Sequence, residues 1–298
     1  MITKGNFLLL ELSEFRDWLQ RKNVTRRIKG LQVHHTGSPN YKTRKTVNGV
    51  AQQDHFVCLE GMRDYHINTN KWKATGQHLT IFEDGKVGVS LDRDLNTTPA
   101  CIYNNNAGYV GIEIIGCFDK GVDAMTMVQR NAVVHIYAAL CEKFYVPINT
   151  DKIVYHAWFT ASGTRLSDYT PGRSSKSCPG TAYWGDGNTV TAANKGFLPL
   201  VKAELERLRN GIENTARKDD DSMTSEEKKQ MEELKATVES QAKWIAAQKA
   251  KENMECPKWA ESAYEFYKPY IANKAGSYDF WRQLVINYRK EAGFKVQG

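Results

Sequence analysis

A chain of 298 residues with 41% hydrophobic content can bury one substantial core and carry a small extra module. No run of about 18 apolar residues occurs, so no membrane-spanning helix is expected. The formal charge of +7 comes from dispersed lysines and arginines, which leaves nucleic acid without support beyond the charge itself.

Residues 1–10 carry one lysine and a very short apolar run with no small-residue cleavage site, so no secretory signal is expected. The six cysteines, Cys58, Cys101, Cys117, Cys141, Cys178 and Cys256, lack the CxxC pairing of zinc ribbons and redox motifs. They are expected to be reduced, and mostly buried.

In chain order, residues 31–35 (LQVHH) predict a strand that ends in the turn residues Thr36-Gly37-Ser38-Pro39-Asn40. Alternation places Leu31, Val33 and His35 on one face and Gln32 and His34 on the other. The adjacent histidines therefore cannot both serve one ligand. Residues 78–82 and 86–90 flank an Asp-Gly turn and predict a β-hairpin. Residues 110–115 (VGIEII) predict a further short strand, with Glu113 between isoleucines.

From about 125 to 144 the period becomes helical, with Val128, Ala132, His135, Ala139 and Lys143 on one stripe and Val133, Ile136 and Leu140 beside it. Residues 153–156 predict another strand, ending at His156, before a Ser/Thr/Gly-rich loop and KSCPG at 176–180. A second long helix is expected over 196–208. Strands alternating with helices predict an α/β domain over residues 1–212.

Composition shifts at residue 213. Residues 213–252 are charged, and within 224–251 Met231, Leu234, Val238 and Ile245 recur at steps of 3, 4 and 7, but Gln241 and Gln248 fall on the same seam. A weak coiled coil, through which the chain could form oligomers, and a solvated connecting helix remain equal readings. Residues 253–298 are rich in aromatics, with Ala260, Tyr264 and Tyr267 spaced for one helix face and Phe280, Leu284 and Tyr288 for another. They predict a small helical hairpin, whose rings could stack on sugars or fill the module's own core.

Three residues are candidates to complete a site with His34: His156, Cys178 and Glu113. Zinc accepts imidazole and thiolate, and three protein ligands with one open position is the arrangement of a catalytic ion. Two neutral histidines and a thiolate would leave net charge on the ion to acidify water and polarise a carbonyl. Pro179 biases Cys178 toward an extended segment in which Lys176 points the same way, ready to stabilise an oxyanion. Glu113 would be the general base. Against this, strand-end histidines are commonly structural and a strand glutamate can simply face solvent, so spacing alone leaves the site open.

VHHTG after a strand, Trp72 and Gly76-Gln77-His78 leading to the hairpin, Asn104-Asn105-Asn106 before GIEIIGCFD at 111–119, and His156 followed by KSCPG together resemble the zinc-dependent N-acetylmuramoyl-L-alanine amidases. That family includes phage endolysins and is related to the peptidoglycan recognition proteins. The resemblance spans about residues 7–208 in consistent order and implies a central mixed β-sheet flanked by helices, with a zinc ion in a groove on one face. By position it implies His34, His156 and Cys178 as zinc ligands and Lys176 as a catalytic aid. One branch uses a tyrosine just before the hairpin histidine, where this chain has Gln77. Another uses a glutamate in a GIE strand, matching Glu113, so the chain is placed with the glutamate branch and Gln77 at most positions substrate. His66 and His78 match structural positions, while His55 and His135 have no evident chemical partners. Tyr41, Asn105, Asn106 and Trp158 are expected to line the groove, where amides and rings suit a sugar-peptide ligand.

The reading at this level is a peptidoglycan amidase of endolysin type, held in the host cytoplasm until lysis, with a C-terminal module for a secondary wall polymer or assembly. The alternative is a peptidoglycan-binding or regulatory protein of the same fold that does not cut.

Overall fold

Period-two alternation in FLLL shows how the sheet is built. Leu8 and Leu10 enter the main core, while Phe7 and Leu9 enter a smaller one on the opposite face. These four residues form β2 (Phe7–Leu10), next to β1 (Ile2–Lys4) in a computed structural model that describes residues 1–47, 50–215, 240 and 250–294. The remaining strands of the sheet are β3 (Gly30–His35), β4 (Leu79–Ile81), β5 (Val87–Ser90), β6 (Tyr109–Ile114) and β7 (Ile153–Tyr155). They lie in the order β1-β2-β5-β4-β6-β3-β7. The first four in that order pair antiparallel, whereas β4, β6, β3 and β7 run parallel.

Helices cover both faces. On the main core lie α1 (Leu12–Arg21), α3 (Met127–Phe144) and, beyond the single turn α4 (Val190–Ala192), α5 (Leu198–Thr215). α5 contributes Leu198, Val201, Leu205 and Leu208, spaced to fall on one helical face. On the other face α2 (His55–Asp64) packs Phe56, Cys58 and Leu59 against Phe7, Leu9, Phe82 and Ile115. The chain thus leaves β3 toward α2 on one face and leaves β6 toward α3 on the other. In open sheets with parallel strands, such a divergence opens a crevice at the carboxyl ends of the strands.

The strands and helices expected from 31–35, the Asp-Gly hairpin, 110–115 and 125–144 are present within a residue or two. His156 does not end β7; it opens a 3-10 turn, His156–Trp158. Of the two stripes expected on α3, Val133, Ile136 and Leu140 are fully buried, while Val128 is exposed. All six cysteines are free, and Cys58, Cys141 and Cys178 are buried. No helix among the described residues is long and apolar enough to cross a membrane.

Contacts divide the chain into Met1–Arg217 and Lys218–Gly298. The second unit contains β8 (Met254–Glu255) paired antiparallel with β9 (Ala275–Gly276), and the helices α6 (Glu261–Tyr267) and α7 (Tyr278–Glu291). Its core is Ala260, Tyr264 and Trp281, with the Trp281 ring fully buried and its Nε1 donating to Met254 O at 3.2 Å. Trp281, rather than the expected Phe280, holds the two helices together. The heptad pattern within 224–251 lies outside the described residues except at Ser240 and residues 250–251.

Candidate metal centre and active site

A cavity of about 840 Å³ opens at the carboxyl ends of the parallel strands. Register across the sheet builds its floor: Glu113 on β6 is level with His34 on β3 and with Thr80 on β4. His34 is buried, so the face it shares with Gln32 is a polar interior and not a solvated surface. His156 enters from the turn after β7, and Cys178 from Ser177–Gly180, a turn about a cis Cys178–Pro179 bond. Gly180 N–H closes the turn by donating to Ser177 O at 2.9 Å. Lys176 lines the same cavity, exposed to solvent.

Backbone contacts fasten these segments to one another. Ala157 N–H donates to Cys178 O at 2.7 Å, and His35 N–H donates to Cys178 Sγ at 3.3 Å. Asp119 accepts from Thr181 N–H at 2.9 Å and from Ser177 Oγ at 3.0 Å. Gly180 has φ +123, and a Cβ there would meet the Phe118 backbone at 2.3 Å. Only glycine lets the two chain segments approach so closely. The GCFD and KSCPG motifs are therefore the two halves of one clasp.

His34 Nδ1, His156 Nδ1 and Cys178 Sγ converge, all within 4.8 Å of one another. The two nitrogens are 3.2 Å apart, and His34 Nδ1 is 3.6 Å from the sulfur. Tetrahedral zinc bonds nitrogen at about 2.0–2.1 Å and sulfur at about 2.3 Å, which sets neighbouring donors about 3.3 Å and about 3.6 Å apart. The donor set and its spacing therefore fit a zinc-like cation. Burial pulls His34 well below the ordinary histidine range and His156 down to about 4, with the Lys176 charge adding to both. Both imidazoles are consequently neutral near pH 7, the form that binds a metal. Burial pushes the Cys178 thiol up, opposed by the His35 N–H and the Lys176 charge.

Glu113 is half-buried and its Oε2 has no partner among the described residues. Burial raises its carboxyl to about 8, with Lys176 acting in the opposite direction. A carboxyl that exchanges its proton near neutrality, placed beside a candidate metal group, suits general acid–base chemistry. His35 accepts from Phe118 N–H through Nδ1 at 3.0 Å, and so supports the wall behind the cluster.

Of the residues expected in the groove, only Gln77 lines the cavity. Trp158 is fully buried, stacked on Tyr155, with Nε1 donating to Asn188 O. Asn105 donates to Tyr103 O and Gly163 O, and Asn106 accepts from the Cys101 and Ile102 amides. Tyr41 donates its hydroxyl to Gln129 Oε1 at 2.6 Å and accepts from Thr126 N–H at 3.2 Å. These four side chains hold loops and core in place and do not line this cavity. Tyr41→Phe should lower stability by about 1–2 kcal/mol in a denaturant melt, because it leaves the Thr126 amide unpaired, with catalytic efficiency unchanged.

His78 accepts from Gly111 N–H, as a structural histidine should. His55 and His135 do have partners, Asp84 at 3.0 Å and Glu204 at 2.7 Å. The far wall of the cavity comes from Val57, Met62 and Tyr65 and from the stacked rings of His66 and Trp72. This wall rests on α2, which no apolar periodicity marks in the sequence. The signal was available in Asp54, an N-cap that accepts from the Phe56 and Val57 amides ahead of Leu59.

A search of curated proteins returns no match by sequence. Among solved structures, the chain is similar to Drosophila PGRP-LB at 18% identity, covering 57% of this chain and 88% of that one with a TM-score of 0.40. It is also similar to the LysCS endolysin, an N-acetylmuramoyl-L-alanine amidase from Clostridium intestinale, at 17% identity over 52% of this chain and 76% of that one, TM-score 0.36. The Ph2119 endolysin of a Thermus scotoductus bacteriophage is 21% identical over 61% of this chain and 96% of that one, TM-score 0.37. Residues 24–181, more than half of the chain, match the family model described as N-acetylmuramoyl-L-alanine amidase, and the cluster of His34, His156, Cys178 and Glu113 lies wholly inside that span. The chain belongs to the N-acetylmuramoyl-L-alanine amidase family.

Proposed function

We propose that this protein is a zinc-dependent amidase that hydrolyses the bond between the lactyl group of N-acetylmuramic acid and the L-alanine of the peptidoglycan stem, as a phage or prophage endolysin. The observation that carries the reading is the convergence of His34 Nδ1, His156 Nδ1 and Cys178 Sγ beside a Glu113 carboxyl that has a partnerless oxygen. The first three side chains would hold the ion. Zinc bound there supplies Lewis acidity toward the amide carbonyl and toward water. Glu113 takes a proton from the attacking water and returns it to the leaving nitrogen. Lys176, on the cavity rim, offers an ammonium to the oxygen that gains charge.

The catalytic domain is assigned to residues 1–212, a connecting segment to 213–252 and a wall-binding module to 253–298. The part-exposed rings of Trp259 and Tyr278 support a sugar-polymer role for that module.

Zinc-loaded protein incubated with purified cell walls should release new amino groups, from freed L-alanine, without new reducing sugar ends. A chelator should abolish the release and added zinc restore it. Reducing ends in place of amino groups would contradict the amidase reading, and binding to walls without any release would favour the non-catalytic alternative.

A further inference from the structure

Gln77 is only 1% exposed, yet it lines the cavity. Its Nε2 donates to Thr80 Oγ1 at 3.0 Å, whereas its Oε1 is buried with no partner among the described residues. Thr80 is itself fully buried and level with Glu113, which is level with His34. A row of residues therefore runs from His34 through Glu113, both of which line the cavity, to Thr80 buried beside them, and Gln77 is tied to that end. Two partnerless oxygens, Gln77 Oε1 and Glu113 Oε2, lie on residues that line this one cavity. A buried acceptor without a protein donor is met by water or by a donor on a ligand that displaces it.

In the amidase reading, on which this inference rests, the substrate group that must reach Glu113 is the leaving nitrogen, and it carries an N–H. We propose that Gln77 is a positioning residue for that nitrogen: Oε1 accepts the N–H of the scissile amide and so turns the nitrogen lone pair toward Glu113. The oxygen of water bonds to the carbonyl carbon, and one of its protons passes by way of Glu113 to the nitrogen. The C–N bond breaks to give a carboxylic acid and an amine, whose original N–H stays on Gln77. Thr80 fixes the side chain by engaging Nε2, leaving the oxygen free for the ligand.

The test compares an N-acetylmuramoyl-L-alanyl peptide with its depsipeptide, in which L-lactate replaces L-alanine and an ester oxygen replaces N–H. Gln77→Met keeps the length of the side chain and removes both polar atoms. It should reduce kcat on the amide by roughly tenfold or more, the scale of one lost hydrogen bond in the transition state, and change the ester rate by less than about threefold on the same scale. Zinc content should stay at the wild-type level, and the amide fragment should bind metal-stripped variant more weakly than metal-stripped wild type. Thr80→Val, which frees Nε2 without touching Oε1, should give a smaller loss that is also confined to the amide. Equal losses on amide and ester would mark Gln77 as merely structural, and an undiminished amide rate would likewise overturn the proposal. Wild-type protein that cleaves neither the amide nor walls would overturn the amidase reading, and the Gln77 assignment with it.

Discussion

His34→Ala should strip the metal and, with it, all measurable hydrolysis, whereas His35→Ala should keep both. The two residues are neighbours in sequence but differ in what their rings do. His34 presents Nδ1 to His156 and Cys178 at 3.2 Å and 3.6 Å, so its loss removes a donor from a three-donor set. The effect should exceed the roughly 10–100-fold that follows loss of an outer partner of a metal ligand. His35 touches the cluster through its backbone N–H, which donates to Cys178 Sγ and survives in alanine. Its ring accepts only the Phe118 amide, and losing that bond should cost about 1–2 kcal/mol of stability. Metal analysis of the two purified variants decides the matter. Comparable zinc loss in both would mean that the strand faces have been misassigned.

Glu113→Gln should separate catalysis from stability in one protein. Hydrolysis should fall by about 10²–10⁴-fold, the usual contribution of a positioned acid–base group, while zinc is retained because Glu113 is not among the three converging donors. Stability should move the other way. The folded-state carboxyl sits near 8, above the ordinary value of 4.5, because burial penalises its charged form. Such a group costs nothing below pH 4.5. Its cost then grows as pH rises toward 8 and is constant beyond. Glutamine carries no charge, so the metal-stripped variant should be more stable than metal-stripped wild type by roughly 3 kcal/mol at pH 7 and equal to it at pH 4. Thermal melts of both proteins at the two pH values provide the check. A variant that melts with wild type at pH 7 would show that solvent reaches the carboxyl, and one that hydrolyses walls at the wild-type rate would remove Glu113 from the mechanism.

Local rules made the members of the cluster candidates, and the resemblance of VHHTG, GIE and KSCPG to the amidase motifs put them together. His34 lies on the polar face of a short alternating strand, and Glu113 interrupts a run of isoleucines in β6, which pairs in parallel with β3. His156 follows a third apolar strand at whose end the same crevice opens. The groove was not readable in this way. Tyr41, Asn105, Asn106 and Trp158 were chosen by residue type, and an aromatic ring or an amide suits a ligand and a loop brace equally well. Trp158 shows the difficulty, since its indole N–H is satisfied by Asn188 O, 30 residues away. β1 and β2 were missed for a different reason: strands of three and four residues carry too little periodicity to stand out from a short apolar run.

The clasp between Phe118–Asp119 and Ser177–Ala182 also bears on how the protein comes apart. It closes a loop containing α3 and β7, so Cys178 cannot swing away without releasing Asp119 and the backbone that Gly180 rests on. The donors at positions 34, 156 and 178 come from segments distant in sequence and meet only once the parallel strands are in register. Partial fraying at the chain ends leaves them together, because none belongs to a terminal element. Opening of the candidate metal site is therefore expected to coincide with unfolding of the central sheet rather than with local fraying.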